Sequence, residues 1–306
     1  MIDQKPVFHM KHVPVALAVL LAFVSCEKMN VAPYSLSVTD IEPCRARVVA
    51  NIKTQKTIDV PFFKITVSDN YEMKGTRVYT STEITDGKMS IPMFNLNPDC
   101  YYYYKTRMII DGVNYDFELM EFKTQDLPVG TIDMGTSVKW ASYNLGATKP
   151  EESGLRFAWG ETAPKSAFSW DNYLWWNGND ASKYSTEDGK TVLEREDDAA
   201  HTILGGNWRM PTLNDFDELF LSGTHALIKY KGVRGLGFRS SSTKQTLFFP
   251  TEITPGDDLI YWMSSRKTKL PIEEAYSFPQ NGAYANIQTS SAERYKGGAI
   301  RPVLPE

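Results

Sequence analysis

The sequence predicts two domains, an all-β sandwich followed by an α+β domain, behind an export signal. Three observations carry this. Before about residue 125, apolar and polar residues alternate in several short runs, with turn residues at roughly ten-residue spacing. All seven tryptophans lie at or after Trp140. Beyond residue 190 the chain carries capped helical patterns that the first part lacks.

The first 26 residues set the compartment. Lys11 and His12 form a short basic head, Val13 to Val24 carries no charge, and Ser25 and Cys26 close the run. This is the pattern of a secretory signal over residues 1–25. The apolar run is too short to span a bilayer as a stable helix. A cysteine directly after it resembles a bacterial lipoprotein signal. That resemblance implies a lipid (palmitate) on Cys26, a tether over 26–32, and an outer-membrane protein facing the cell exterior.

Composition bounds the rest. Of 306 residues, 42% are hydrophobic and 23% charged, which predicts packed cores. The formal charge is -4, and no stretch concentrates Lys and Arg, so nucleic acid is not an expected partner. Membrane contact is expected only through Cys26. His201 and His225 are the two of four histidines outside the signal, so any histidine base must be one of them. Beyond Cys26, Cys44 and Cys100 form an even pair: either a disulfide in an oxidising compartment or two small buried side chains.

The first domain, 33–125, reads as strands. Arg45–Lys53, Phe62–Ser68, Met89–Phe94, Tyr101–Ile110 and Tyr115–Phe122 alternate, and Asp111-Gly112 between two of them is a hairpin signal. Leu96-x-Pro98-x-x-x-Tyr102, followed by an alternating strand, resembles the tyrosine corner of fibronectin type III domains. The resemblance makes this domain a fibronectin type III-like spacer or interaction platform. It also implies that Cys44 and Cys100 open two strands at the same end of the sandwich, within bridging reach.

After a break at about Gln125–Gly130 the texture changes. Met134-Gly135 leads to Trp140-Ala141, then Phe157-Ala158-Trp159-Gly160-Glu161, then a polar stretch from Thr162 to Asp188. Leu193 to Ala200 reads as an acidic helix start. Thr212 and Asp215 make a capping box ahead of an apolar face of Leu213, Phe216, Leu219 and Phe220. The remainder reads as β in four segments, Leu247–Pro250, Tyr261–Ser265, Ala275–Phe278 and Gly298–Val303, the last closing on Arg301-Pro302-Val303. In this order the blocks, with Asp197-Asp198-Ala199-Ala200, Trp208-Arg209-Met210-Pro211-Thr212 and Tyr261-Trp262, resemble the Fibrobacter succinogenes major paralogous domain over 130–306. That family implies a C-type-lectin-like architecture in which the first and last strands pair.

Trp170, Tyr173, Trp175, Trp176 and Tyr184 cluster in the polar stretch, beside Asn172, Asn177, Asn179 and Asp180. Flat rings among amides suit stacking on sugars or anchoring a protein partner; the same rings can instead pack the loop onto its own domain. Trp208, Arg209 and Pro211 read as structural, with the Trp anchoring the core and the Arg holding a carboxylate or carbonyls. Asp197 and His201 share a helical face, but no third metal ligand can be named, so neither metal nor cofactor is expected. His225 follows a Ser222-Gly223-Thr224 turn. His-Glu-x-x-His, Gly-x-Ser-x-Gly and phosphate-loop motifs are missing, and Gly235-x-Gly237 lacks a third glycine. The expectation is a non-enzymatic, lipid-anchored surface protein used in adhesion, binding carbohydrate or a surface protein. A structural or fimbrial envelope component is the alternative, and a polysaccharide hydrolase ranks third.

Overall fold

The computed structural model describes residues 31–54, 61–251, 259–268, 274–278 and 290–306. Cys26, the signal and most of the tether lie outside the described residues. No helix among the described residues is long and apolar enough to cross a membrane. The chain is mostly antiparallel sheet and divides into two compact units. One takes in the described residues through Ile41, Ala46–Met93 and Tyr101–Phe122; the other takes in Glu42–Arg45, Phe94–Cys100 and Lys123–Glu306.

Strict alternation builds the first unit. Its strands are β1 (Val31–Thr39), β2 (Arg45–Thr54), β3 (Phe62–Ser68), β4 (Arg77–Ser81), β5 (Lys88–Phe94), β6 (Tyr101–Ile110), β7 (Val113–Asp116) and β8 (Met120–Lys123). They form one sheet of order β1-β2-β5 and another of order β4-β3-β6-β7, with β8 also on β6. In β6 every second residue is buried: Tyr102, Tyr104, Thr106, Met108 and Ile110. β2 buries Ala46, Val48, Ala50 and Ile52, and β3 buries Phe63, Ile65 and Val67. Each large apolar side chain so buried contributes about 1.5–3 kcal/mol. Two sheets that each bury one face satisfy this as a β-sandwich. Asp111 and Gly112 make the predicted two-residue turn, with Ile110 opposite Val113. The strand expected over Tyr115–Phe122 is two, β7 and β8. β1 and β4 were not predicted; β1 contains Pro33, and β4 buries none of its residues.

The second unit packs helices and short sheets around three apolar clusters among its described residues, two large and one small. β9 (Thr131–Asp133), β10 (Val138–Ala141) and β17 (Val303–Pro305) run in the order β17-β10-β9, so its opening and closing segments pair antiparallel. Between them come α1 (Ala199–Leu204), α2 (Leu213–Leu221), the sheet β11 (Gly223–Tyr230), β12 (Val233–Ser240), β13 (Thr246–Pro250), and the sheet β14 (Tyr261–Arg266), β15 (Glu274–Phe278), β16 (Ser290–Glu293). The Thr212/Asp215 capping box is present and α2 buries Phe216 and Leu219, as its periodicity predicts. The turn read at Ser222-Gly223-Thr224 is instead the start of β11, and His225 lies within that strand opposite Phe238.

One cluster stacks Trp140, Phe216, Phe249, Phe278 and Tyr261, with Trp140 and Phe216 edge-to-face at 5.2 Å and Phe249 and Tyr261 at 5.1 Å. Arg301 is fully buried beside it, its guanidinium 4.5 Å from the Phe249 ring centre. It donates to Asn144 Oδ1 (2.9 Å), to the carbonyls of Ala141 and Ser142 (3.2 Å each) and to that of Phe248 (2.8 Å). Burial pushes its pKa down to about 10. The second cluster gathers Phe157, Trp159, Tyr184, Met210, Trp262 and Ile300 and underlies the polar stretch.

Candidate functional site

The polar stretch from Thr162 to Asp188 is held from beneath by three consecutive residues. Trp159 O accepts from Tyr173 Oη at 2.8 Å, Gly160 O accepts from Trp175 Nε1 at 2.8 Å, and Glu161 Oε1 accepts from Leu174 N at 2.8 Å. Glu161 is buried and also takes the Lys165 ammonium at 2.6 Å. Lys165 in turn donates to Asn172 O at 2.6 Å. A short 3-10 turn, Trp170–Asn172, starts at a Ser169 capping box. Residues 173–175 are thus fixed to 159–161 through both side chains and backbone.

This anchoring decides which rings are available. Tyr173 is 4% exposed and Tyr184 fully buried, so the expectation that they contact a ligand is corrected: both are core residues. Tyr184 Oη donates to Asp197 and accepts the Glu194 N–H at 2.8 Å. Burial raises both phenols well above their ordinary pKa. Trp175 is half-buried with its N–H already satisfied, which leaves it a packing role.

Trp170 and Trp176 behave differently. Both are half-buried, and their ring centres lie 4.4 Å apart at 37°. Trp170 also meets Tyr295, half-buried, at 4.8 Å. The Trp170 and Tyr295 planes are inclined at 56°, so the three rings make a tilted, half-buried aromatic cluster, called the shelf below. Trp176 is held by a bridge to Ala181 across a tight turn in which Asn177 Oδ1 accepts from the N–H groups of Asn179 (2.9 Å) and Asp180 (2.8 Å). Asp171, Asn172, Asn177, Asn179 and Asp180 are exposed around it, and Leu174 is 62% exposed. Flat apolar rings rimmed by exposed amides and carboxylates can stack on the C–H face of a sugar while hydrogen-bonding its hydroxyls, or can anchor an aromatic-rich protein contact. Sequence reading missed Tyr295, which reaches the shelf from the segment after β16.

The back of the loop is pinned by charge. Lys183 Nζ lies 2.5 Å from Asp197, 2.8 Å from Glu194 and 3.8 Å from Glu196, and 5.0 Å from the Trp175 ring centre. Partial burial acts to lower the Lys183 pKa, but hydrogen bonds to Asp197 and Glu194 outweigh it and raise it. Lys183 and Lys190 together hold the Glu194 carboxyl down at about 2.

The other singled-out residues are accounted for nearby. Asp197 is committed to Lys183 and Tyr184, and Asp198, not Asp197, caps α1 by accepting from His201 N at 3.0 Å. The Asp197–His201 face is therefore not a ligand pair, and no metal-holding cluster is found among the described residues. Burial pushes the Asp198 carboxyl up. Arg209 grips Asp215 through two bonds, at 2.6 and 3.1 Å, and the Met210 carbonyl at 2.9 Å, as its structural reading required. Trp208 departs from that reading: it is half-buried and outside all three clusters. Cys44 and Cys100 are separate thiols, not a disulfide. Cys44 packs against the cluster of Leu127, Ile228, Tyr230 and Phe248, and burial pushes its thiol up to about 12.

No protein-family model matches the chain, and no curated protein matches it. Several solved structures are similar to part of it. A myokine structure shares 19% identity over 31% of this chain and 96% of its own, with a TM-score of 0.25. The sensor domain of the anti-sigma factor RsgI4 in Pseudobacteroides cellulosolvens shares 14% over 33% and 100%, with a TM-score of 0.25. The sixth fibronectin type III domain from human fibronectin type III domain containing protein 3 shares 14% over 36% and 97%, with a TM-score of 0.26.

Proposed function

We propose that this chain is a lipid-anchored protein of the cell envelope, facing the exterior, whose second unit is a non-catalytic recognition module for glycan or protein ligands. The observation that carries the reading is the shelf of Trp170, Trp176 and Tyr295, in a loop fixed to residues 159–161. A preordered shelf loses little conformational entropy when a ligand docks. The anchor rests on the Val13–Cys26 pattern. The first unit is a fibronectin type III-like spacer in this reading, supported by its sheet orders β1-β2-β5 and β4-β3-β6-β7. A C-type-lectin-like second unit is supported by the pairing of β10 with β17.

A glycan array and a cell-surface pull-down, run with the purified full chain and with Trp170→Ala/Trp176→Ala, test the binding role. Loss of a wild-type signal in a variant that keeps its thermal midpoint supports it; equal signals remove the shelf from the account. Metabolic labelling with a fatty-acid probe tests the anchor: label on wild type but not on Cys26→Ala supports it, and an unlabelled wild type overturns it.

A further inference from the structure

On the second unit, away from the shelf residues, a cavity of about 280 Å³ is lined by Leu193, Arg195, His201, Trp208, Arg209 and Pro305, among others. Arg209 is neutralised by Asp215. Arg195 is not neutralised. Its Nε donates to His201 Nε2 at 2.8 Å and its Nη2 to the Gly206 carbonyl at 2.7 Å. A guanidinium has five N–H donors, so three remain. The adjacent carboxylates Glu194 and Glu196 face Lys183 and Lys190, and no carboxylate among the described residues pairs with Arg195. Asp198, the one acid lining the cavity, spends its oxygens on the His201 and Met210 N–H groups. The cavity therefore offers an exposed guanidinium oriented by two hydrogen bonds, with no carboxylate at ion-pair distance among the described residues, in a lining that also holds the partly buried Trp208 indole and the Asp198 carboxylate.

We infer that this cavity binds a carboxylate carried on a six-membered ring, the ring against Trp208 and the carboxylate on the open edge of Arg195. A planar guanidinium matches a carboxylate bidentately, and an indole beside it takes the flat face of the ring. The ring can come from an acidic sugar or from an aromatic acid; the chemistry recognised is the same. This inference does not depend on the shelf.

The test is calorimetric titration of the purified full chain with two matched pairs: glucuronate against glucose, and benzoate against benzamide. Preference for glucuronate identifies a sugar source, and preference for benzoate an aromatic one. In either case the acid should bind at least about tenfold more tightly than its neutral partner, the worth of one charge-assisted contact. Arg195→Gln should remove that preference and Arg195→Lys should keep part of it, both with an unchanged far-ultraviolet spectrum. The same titrations in a Trp170→Ala/Trp176→Ala background, which removes sugar binding at the shelf, read this cavity alone, and there too Arg195→Gln should abolish the preference. Equal binding of acid and neutral partner, no binding of either acid at millimolar concentration, or a preference that survives Arg195→Gln overturns the inference.

Discussion

The carbonyl oxygen of Gly160 accepts a 2.8 Å hydrogen bond from the indole nitrogen of Trp175. Gly160 holds a φ of 75°, and a Cβ there would sit 3.0 Å from Leu193 Cδ2 and 3.2 Å from Trp175 Nε1. Gly160→Ala adds left-handed strain and crowds the anchoring bond, so it should destabilise the protein by about 1–3 kcal/mol. Chemical denaturation measures this. An unchanged midpoint would mean that the 159–161 segment does not hold the loop as described.

Lys183 ties the loop's far end to Asp197 and Glu194. Its removal leaves Asp197, 9% exposed at its side chain, without a cation. Lys183→Met should cost about 2 kcal/mol, less than a fully buried pair because the lysine keeps 19% exposure. Tyr184→Phe, which removes a donor to Asp197 and an acceptor for Glu194 N–H, should cost about 1–2 kcal/mol. The double variant should lose less than the sum, since both act on Asp197.

The acid limb of stability follows from Glu194. Its ordinary pKa of 4.5 falls to about 2 in the fold, through hydrogen bonds first from Lys183 and then from Lys190. Between those values the unfolded chain binds more protons. The contribution is therefore complete above about 4.5 and is lost as pH falls towards about 2. Urea midpoints followed across this window should fall more steeply for wild type than for Glu194→Gln. Parallel curves would contradict the pairing.

Gly235 and Gly237 in β12 separate backbone crowding from side-chain crowding. A Cβ at Gly235 would lie 2.2 Å from Phe248 Cε2 and 2.4 Å from Phe249 O; one at Gly237 would meet Ile228 Cδ1 at 2.6 Å. Phe248 is buried and the carbonyl cannot yield, whereas the isoleucine tip can turn. Gly235→Ala should cost about 3 kcal/mol and Gly237→Ala about 1 kcal/mol. The reverse order would contradict the β12–β13 register.

The same two glycines show why part of the fold escaped sequence reading. A Gly-x-Gly spacing resembles a loop, yet here small residues let two strands and a phenylalanine approach closely. Strands β2, β3, β5 and β6 were legible because each buries one face at period two, and α2 because Thr212 and Asp215 sit at capping spacing. β4 gave no signal, since none of its residues is buried. At the candidate site, composition located the aromatic loop but not the direction of its rings. Tyr173, Trp175 and Tyr184 point inward because Trp159 O, Gly160 O and Asp197 wait there, and partners distant in sequence leave no local pattern. Tyr295 joins the shelf for the same tertiary reason.

The most direct measurement is a binding titration of whichever glycan or surface partner the wild-type chain captures, repeated with Trp170→Ala/Trp176→Ala and with Tyr173→Phe. The account predicts loss of at least about tenfold in affinity for the double variant, the worth of two stacking rings, and no change for Tyr173→Phe, whose hydroxyl faces Trp159 O inside the unit. Undiminished binding by the double variant would contradict the claim that this shelf is where the protein meets its ligand.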